Sequence, residues 1–86
     1  MKRMTSISRP DKPEISSKLP LVEIAGDKRI LVENHLGVVG YSTEEIQIKV
    51  SYGVLCITGC GLKFTQIQRE QLVINGRIDT VMLLRR

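Results

Sequence analysis

Four groups of residues could carry chemistry. Cys56 and Cys60 form a C-x3-C pair. Thiolates at short spacing can hold zinc, but a zinc site needs two further ligands, and the one histidine, His35, is far upstream. Cys56 stands inside the apolar run Val54–Ile57, where a free cysteine packs as a small hydrophobe, so core packing is preferred to a metal or redox role. Cys60 lies between Gly59 and Gly61 and is expected to be exposed; a disulfide between subunits there has no supporting pattern. His35 follows Glu33 and Asn34. A histidine beside an acid can act as a general base, but neither a nucleophile nor a glycine-rich oxyanion loop accompanies it. The simpler expectation is a turn histidine bonding locally. Glu44 and Glu45 are adjacent acids that point in different directions, as in a solvated turn. Finally, the basic N-terminus could meet phosphates or an anionic membrane. It lacks the interleaved aromatics that base stacking uses, so a solubilising tail is the plainer role. No catalytic residue, metal site or cofactor site is expected from these groups.

The elements that would position them are strands. Ile46, Ile48 and Val50 alternate with Gln47 and Lys49, the period-2 signature of a strand with one buried face. Ser51-Tyr52-Gly53 reads as a three-residue hairpin loop, and Val54–Thr58 as the more central return strand. Upstream, Leu21–Ala25 and Arg29–Glu33 flank a turn at Gly26-Asp27-Lys28. Asn34-His35-Leu36-Gly37 is turn-like and Val38–Tyr41 a short strand. Ser42-Thr43-Glu44-Glu45 has the spacing of a capping box, but too little apolar periodicity follows for a helix, so a turn is expected. Downstream, Leu62–Gln66 alternates as a strand and Gln68-Arg69-Glu70 is a polar turn. Gln71–Ile74 and Arg77–Leu84 flank Asn75-Gly76, a strong short hairpin signal. Ile-x-Gly recurs at Ile24, Ile57 and Ile74, at spacings of 33 and 17 residues. A β-solenoid would show such beats; a meander of hairpins would too, and is preferred.

The chain has 86 residues, enough for one domain. Residues 1–18 mix Ser, Thr, Pro and charges and are expected to be a flexible basic arm; residues 19–86 are expected to be a single all-β domain. A domain this small buries only roughly 60% of its unfolded surface, which self-association or a partner would relieve. With one Phe, two Tyr and no Trp, its core must be aliphatic. No apolar run approaches the ~20 residues of a membrane span, and the N-terminus has no apolar stretch of the kind a secretory signal carries. Two cysteines make no disulfide framework, so the expected compartment is the cytosol. The net charge of +4 is unevenly placed. Residues 21–84 hold six basic and seven acidic side chains, whereas the two ends together hold seven basic and two acidic. A near-neutral folded part counts against the alternative of a small nucleic-acid-binding β-barrel.

The order of several motifs resembles the YabP/YqfC family of sporulation proteins. Leu19-Pro20 comes first, then Val22-Glu23-Ile24-Ala25-Gly26, Val32-Glu33-Asn34-His35-x-Gly37, and Tyr41-Ser42 with Glu45-Ile46. Gly53-x-x-x-Ile57-x-Gly59-x-Gly61-Leu62 follows, then Glu70-x-x-x-Ile74-x-Gly76-x-Ile78 and Val81. The Leu-Pro, V-E-N-H-x-G and G-x-I-x-G-x-G-L beats look most like the YqfC branch, and the resemblance covers about residues 19–82. It implies a mother-cell protein of an endospore-forming bacterium, connected with spore envelope formation and often accompanied by a membrane protein encoded next door. It implies no enzymatic activity, no cofactor and no small-molecule substrate. The expected partners are a membrane protein of the sporulation programme, a further copy of the chain, or both. The expected place is the mother-cell cytoplasm, peripheral at the forespore membrane. Most matched residues are Gly and Ile positions already read as turns and core. Asn34 and His35 are the polar exception, and are the expected partner-binding residues. The fold expectation is an antiparallel meander of six to eight short strands, as a sandwich or partly open barrel.

Overall fold

The alternation around Ile46 does build a hairpin. In the computed structural model, which describes residues 19–85, β4 (Glu45–Val50) pairs antiparallel with the start of β5 (Gly53–Ile67), Ile46 opposite Ile57 and Ile48 opposite Leu55. All four of these side chains are fully buried on one face. The loop is tighter than the expected three residues: Val50 pairs with Gly53, leaving Ser51 and Tyr52 to turn the chain. The other elements are β1 (Leu21–Ala25), β2 (Arg29–Glu33), β3 (Gly37–Tyr41) and β6 (Gln71–Arg85). The fold is all-β, as expected. Residues 1–18, expected to be a basic arm, lie outside the described residues.

The six strands form one open antiparallel sheet in the order β1-β2-β6-β5-β4-β3. Only β3 to β6 run as a meander. The β1–β2 hairpin instead joins the far side of β6, where Ile30 faces Ile74 and Val32 faces Leu72. This antiparallel order also excludes the solenoid.

The largest departure from the expected short strands is the length of β5 and β6, 15 residues each. Asn75-Gly76 is not a hairpin but the middle of β6, with Asn75 paired to Arg29 on one side and Lys63 on the other. The turn between the long strands is Gln68-Arg69-Glu70, where Gln68 and Gln71 exchange backbone bonds of 2.8 and 3.3 Å. Likewise Val54–Thr58 and Leu62–Gln66 are halves of one strand. Register shifts at Thr58/Gly59, Cys60/Lys63 and Phe64/Gln66 bend it between them.

The bend divides the partners between two lobes. The first half of β5 pairs with β4, and the first half of β6 pairs with β2. One aliphatic cluster fills the space between: Ile30, Val32, Leu72 and Ile74 from one lobe, Ile46, Ile48, Leu55 and Ile57 from the other, with Leu62 and Ile78 near the bend. No polar side chain is buried among the described residues. Two of the three Ile-x-Gly beats therefore mark the bend rather than a strand end. The backbone of Arg77 lies against Gly59, and that of Gly61 against Gly76, too close for any side chain.

Candidate functional site

The turn that carries Asn34 and His35 crosses from one lobe to the other. Its N-terminal end is pinned to the β5–β6 loop, the Asn34 N–H donating to the Glu70 carbonyl at 2.7 Å. Its C-terminal end is pinned to β4, the Leu36 N–H donating to the Lys49 carbonyl at 2.8 Å. Asn34 has φ of 64°, the left-handed region, which Asn tolerates better than most residues. Gly37, at the end of the turn, has a positive φ too, at 132°.

Both side chains are half-buried and bonded within the chain. The Asn34 Nδ2 donates to the Leu19 carbonyl at 2.8 Å, which ties down the residue preceding Pro20. The Gly37 N–H donates to His35 Nδ1 at 3.0 Å. Nδ1 is thus an acceptor, the ring proton sits on Nε2, and Nε2 donates to the Gln68 carbonyl at 3.3 Å. Glu33 bonds elsewhere, its Oε2 accepting from Gln71 Nε2 at 3.5 Å. The histidine-acid neighbours in sequence are therefore not a bonded pair in space.

Three apolar side chains surround this knot, and reasoning from sequence did not single them out. Leu36, at the tip of the turn, is 60% exposed; Ile67, next to Gln68, is 66% exposed; Leu19, held by Asn34, is 45% exposed. Beside them lies an open depression of about 500 Å3 lined by Glu33, Asn34, Gln68, Arg69, Glu70 and Gln71. A leucine inside a polar turn is the one local signal that could have found this surface.

The remaining candidates are dispersed. Cys56 is buried on β5, opposite Gln47, and its Sγ contacts Glu45 Oε2 at 3.8 Å. Burial pushes its thiol up from the usual 9.0, and the Glu45 carboxylate adds to that by charge and hydrogen bonding. Cys60 is exposed at the bend, and neither cysteine is in a disulfide. Among the described residues no three His, Cys, Asp or Glu stand together as metal ligands would. Glu44 lies in the expected turn and Glu45 begins β4; the Ser42 Oγ accepts from both of their N–H groups, at 3.1 and 3.0 Å. No described helix is long and apolar enough to cross a membrane.

The YabP family model matches residues 17–86. Among curated proteins, the chain is 29% identical to the uncharacterized protein YqfC of Bacillus subtilis (strain 168) over 69 residues, 80% of this chain and 74% of that protein. No solved structure matches it.

Proposed function

Because the chain belongs to the YabP family, and is through that membership a sporulation-associated protein, we propose that it is a non-enzymatic interaction module of spore envelope formation. It works in the mother-cell cytoplasm, peripheral at the forespore membrane, and docks there on a membrane protein of the sporulation programme. The observation that carries this reading is the end of the sheet at Asn34 and His35. Two polar side chains spend their bonds on fixing a turn, which carries Leu36 outward between the exposed Leu19, whose carbonyl Asn34 holds, and the exposed Ile67, next to the Gln68 that His35 holds. A rigid frame that presents apolar side chains loses little entropy on binding, which is how a small surface becomes specific. Asn34 and His35 thus serve the partner contact by shaping the turn.

The test is a pull-down of the tagged protein from sporulating cells in mild detergent, beside a Leu36→Asp/Ile67→Asp variant whose folding is checked by circular dichroism. Stoichiometric recovery of one integral membrane protein with the parent, and its loss with the folded variant, is the expected result. Equal recovery by both would move the contact elsewhere. Recovery of RNA or DNA in place of a protein would overturn the reading.

A further inference from the structure

The sheet leaves four stretches of strand without a neighbour among the described residues, and three carry devices that discourage pairing. The outer edge of β1 follows Pro20 and displays Glu23. That of β3 is broken by a register shift between Val38 and Gly40. The outer edge of the second half of β5 has shifts at Cys60/Lys63 and Phe64/Gln66. Prolines, charges and bulges are the usual means by which native edges avoid other strands. The fourth stretch, β6 from Thr80 to Leu84, has none of them within it; the bulge at Asp79 and the charge of Arg85 stand at its two ends. It is in regular register with β5, with no charge before Arg85, and Met82, Leu83 and Leu84 are each about half exposed.

Which backbone groups face that edge follows from alternation. The Gly59 N–H donates to Glu44, so the odd residues Gly53, Leu55 and Ile57 face β4, while Val54, Cys56 and Thr58 face β6. Their partners Leu84, Met82 and Thr80 face back toward β5. Val81, Leu83 and Arg85 therefore turn their N–H and C=O groups outward. Asp79, the extra residue where Thr58 pairs with Thr80 but Gly59 with Ile78, resets this alternation. It lets the Ile78 N–H reach the Asp27 carbonyl at 2.8 Å, the last bond on that side among the described residues.

We propose that this edge pairs with the same edge of a second copy, antiparallel, about a two-fold axis at Met82. Four centres fit the outward groups, and side-chain chemistry selects one. An axis at Leu84 sets Arg85 opposite Leu83, a cation against an apolar side chain. An axis at Val81 brings Arg77 opposite the second copy's Arg85, like against like. An axis at Leu83 sets Arg85 opposite Val81, a cation against the apolar inner face. An axis at Met82 sets Leu83 opposite Val81, Met82 opposite itself and Thr80 opposite Leu84, and brings Asp79 to the level of Arg85. Only this register is apolar at its centre while keeping Arg85 off both a second arginine and the apolar inner face; the acid it sets beside Arg85, Asp79, is also held by Arg77 at 3.2 Å within its own copy. It also covers Leu83, which lies on the core side of the sheet yet is 51% exposed. The product is one continuous sheet through two copies, an isologous interface. Strands β4 and β5 separate this edge from the turn before β3, so the pairing is independent of the membrane-partner contact.

The experiment is sedimentation equilibrium of the full chain from nanomolar to high micromolar concentration. The parent is expected to be a monomer–dimer system. Leu83→Pro removes an outward N–H without touching the β5 ladder, one of the few kinds of place where a sheet tolerates proline. Met82→Lys and Met82→Glu each set like charges against each other at the axis. All three should weaken self-association by about tenfold or more, and an equimolar mixture of the Lys and Glu variants should restore it. The mixing arm keeps the test decisive if Leu83→Pro misfolds. Amide exchange should show protection at Val81 and Leu83 that rises with protein concentration. A chain monomeric throughout, a dimer indifferent to Met82→Lys, or protection of Val81 and Leu83 independent of concentration would each overturn the proposal. The last outcome would mean that this edge is covered within one chain.

Discussion

A Cβ on Gly76 would stand 2.6 Å from the carbonyl oxygen of Gly61 and 3.0 Å from the Leu62 Cα. This is where the two long strands press together at their bend, and it decides whether one sheet can enclose a core. Gly76 also has φ of 143°, which side chains rarely adopt. Gly26, in the β1–β2 turn, has φ of 57°, but a Cβ there would meet nothing within 4 Å. Gly26→Ala should therefore cost only the left-handed penalty, about 1 kcal/mol. Gly76→Ala adds a backbone clash and should cost about 3 kcal/mol, a large share of the stability of so small a domain. Urea unfolding of both variants checks this; equal losses would mean the bend is not tight.

The turn at Asn34 separates backbone from side-chain effects in the same way. Asn34→Gly keeps the left-handed conformation and loses the bond to Leu19, a net cost of about 0.5–1 kcal/mol. Asn34→Ala loses that bond and pays for the conformation too, about 1 kcal/mol more. Thermal unfolding should rank the parent above Asn34→Gly, and Asn34→Gly above Asn34→Ala. The reverse order of the two variants would show that φ of 64° is not what this position selects for.

His35 joins the start of β3 to the β5–β6 loop through its two ring nitrogens. His35→Ala should lose about 1–2 kcal/mol and, more tellingly, open the site locally. The Gly37 amide, which donates to Nδ1, should exchange faster than the amides of β4 beside it. Unchanged exchange at Gly37 would remove the tether.

The strands were legible where period-2 alternation is clean, as at Ile46 to Val50, and so was the aliphatic core. What misled was Asn75-Gly76. The dipeptide signals a hairpin through its freedom of backbone conformation, and the same freedom is what a strand needs where another backbone crosses it. Sequence periodicity reports which face is buried, not whether a glycine turns the chain or lets a neighbour close. The pairing of β2 with β6 was likewise hidden, since it joins residues about forty positions apart through register alone. At the site, Asn34 and His35 were visible because polar residues in a turn stand out. Leu36 and Ile67 were not, because exposure depends on where the elements pack.

The two cysteines should behave as opposites. Cys60 is exposed and should react at once with a thiol reagent, whereas Cys56 should react only as the domain opens. Burial and the nearby Glu45 carboxylate both raise the Cys56 thiol above 9.0, its usual value. Below that pH the thiol is protonated in both the folded and unfolded chain, and its contribution to stability is complete. As pH rises past 9.0 the unfolded chain ionises first, the folded one lags, and stability falls until the folded thiol ionises as well. Alkaline pH acts on more than one group, so the informative quantity is a difference. The loss of stability between about pH 8 and 10 should be steeper in the parent than in Cys56→Ala, and intermediate in Glu45→Gln, where the carboxylate's share of the shift is gone. Parallel pH profiles for the parent and Cys56→Ala would show that the thiol ionises alike in the folded and unfolded chain, and that its burial beside Glu45 is not felt.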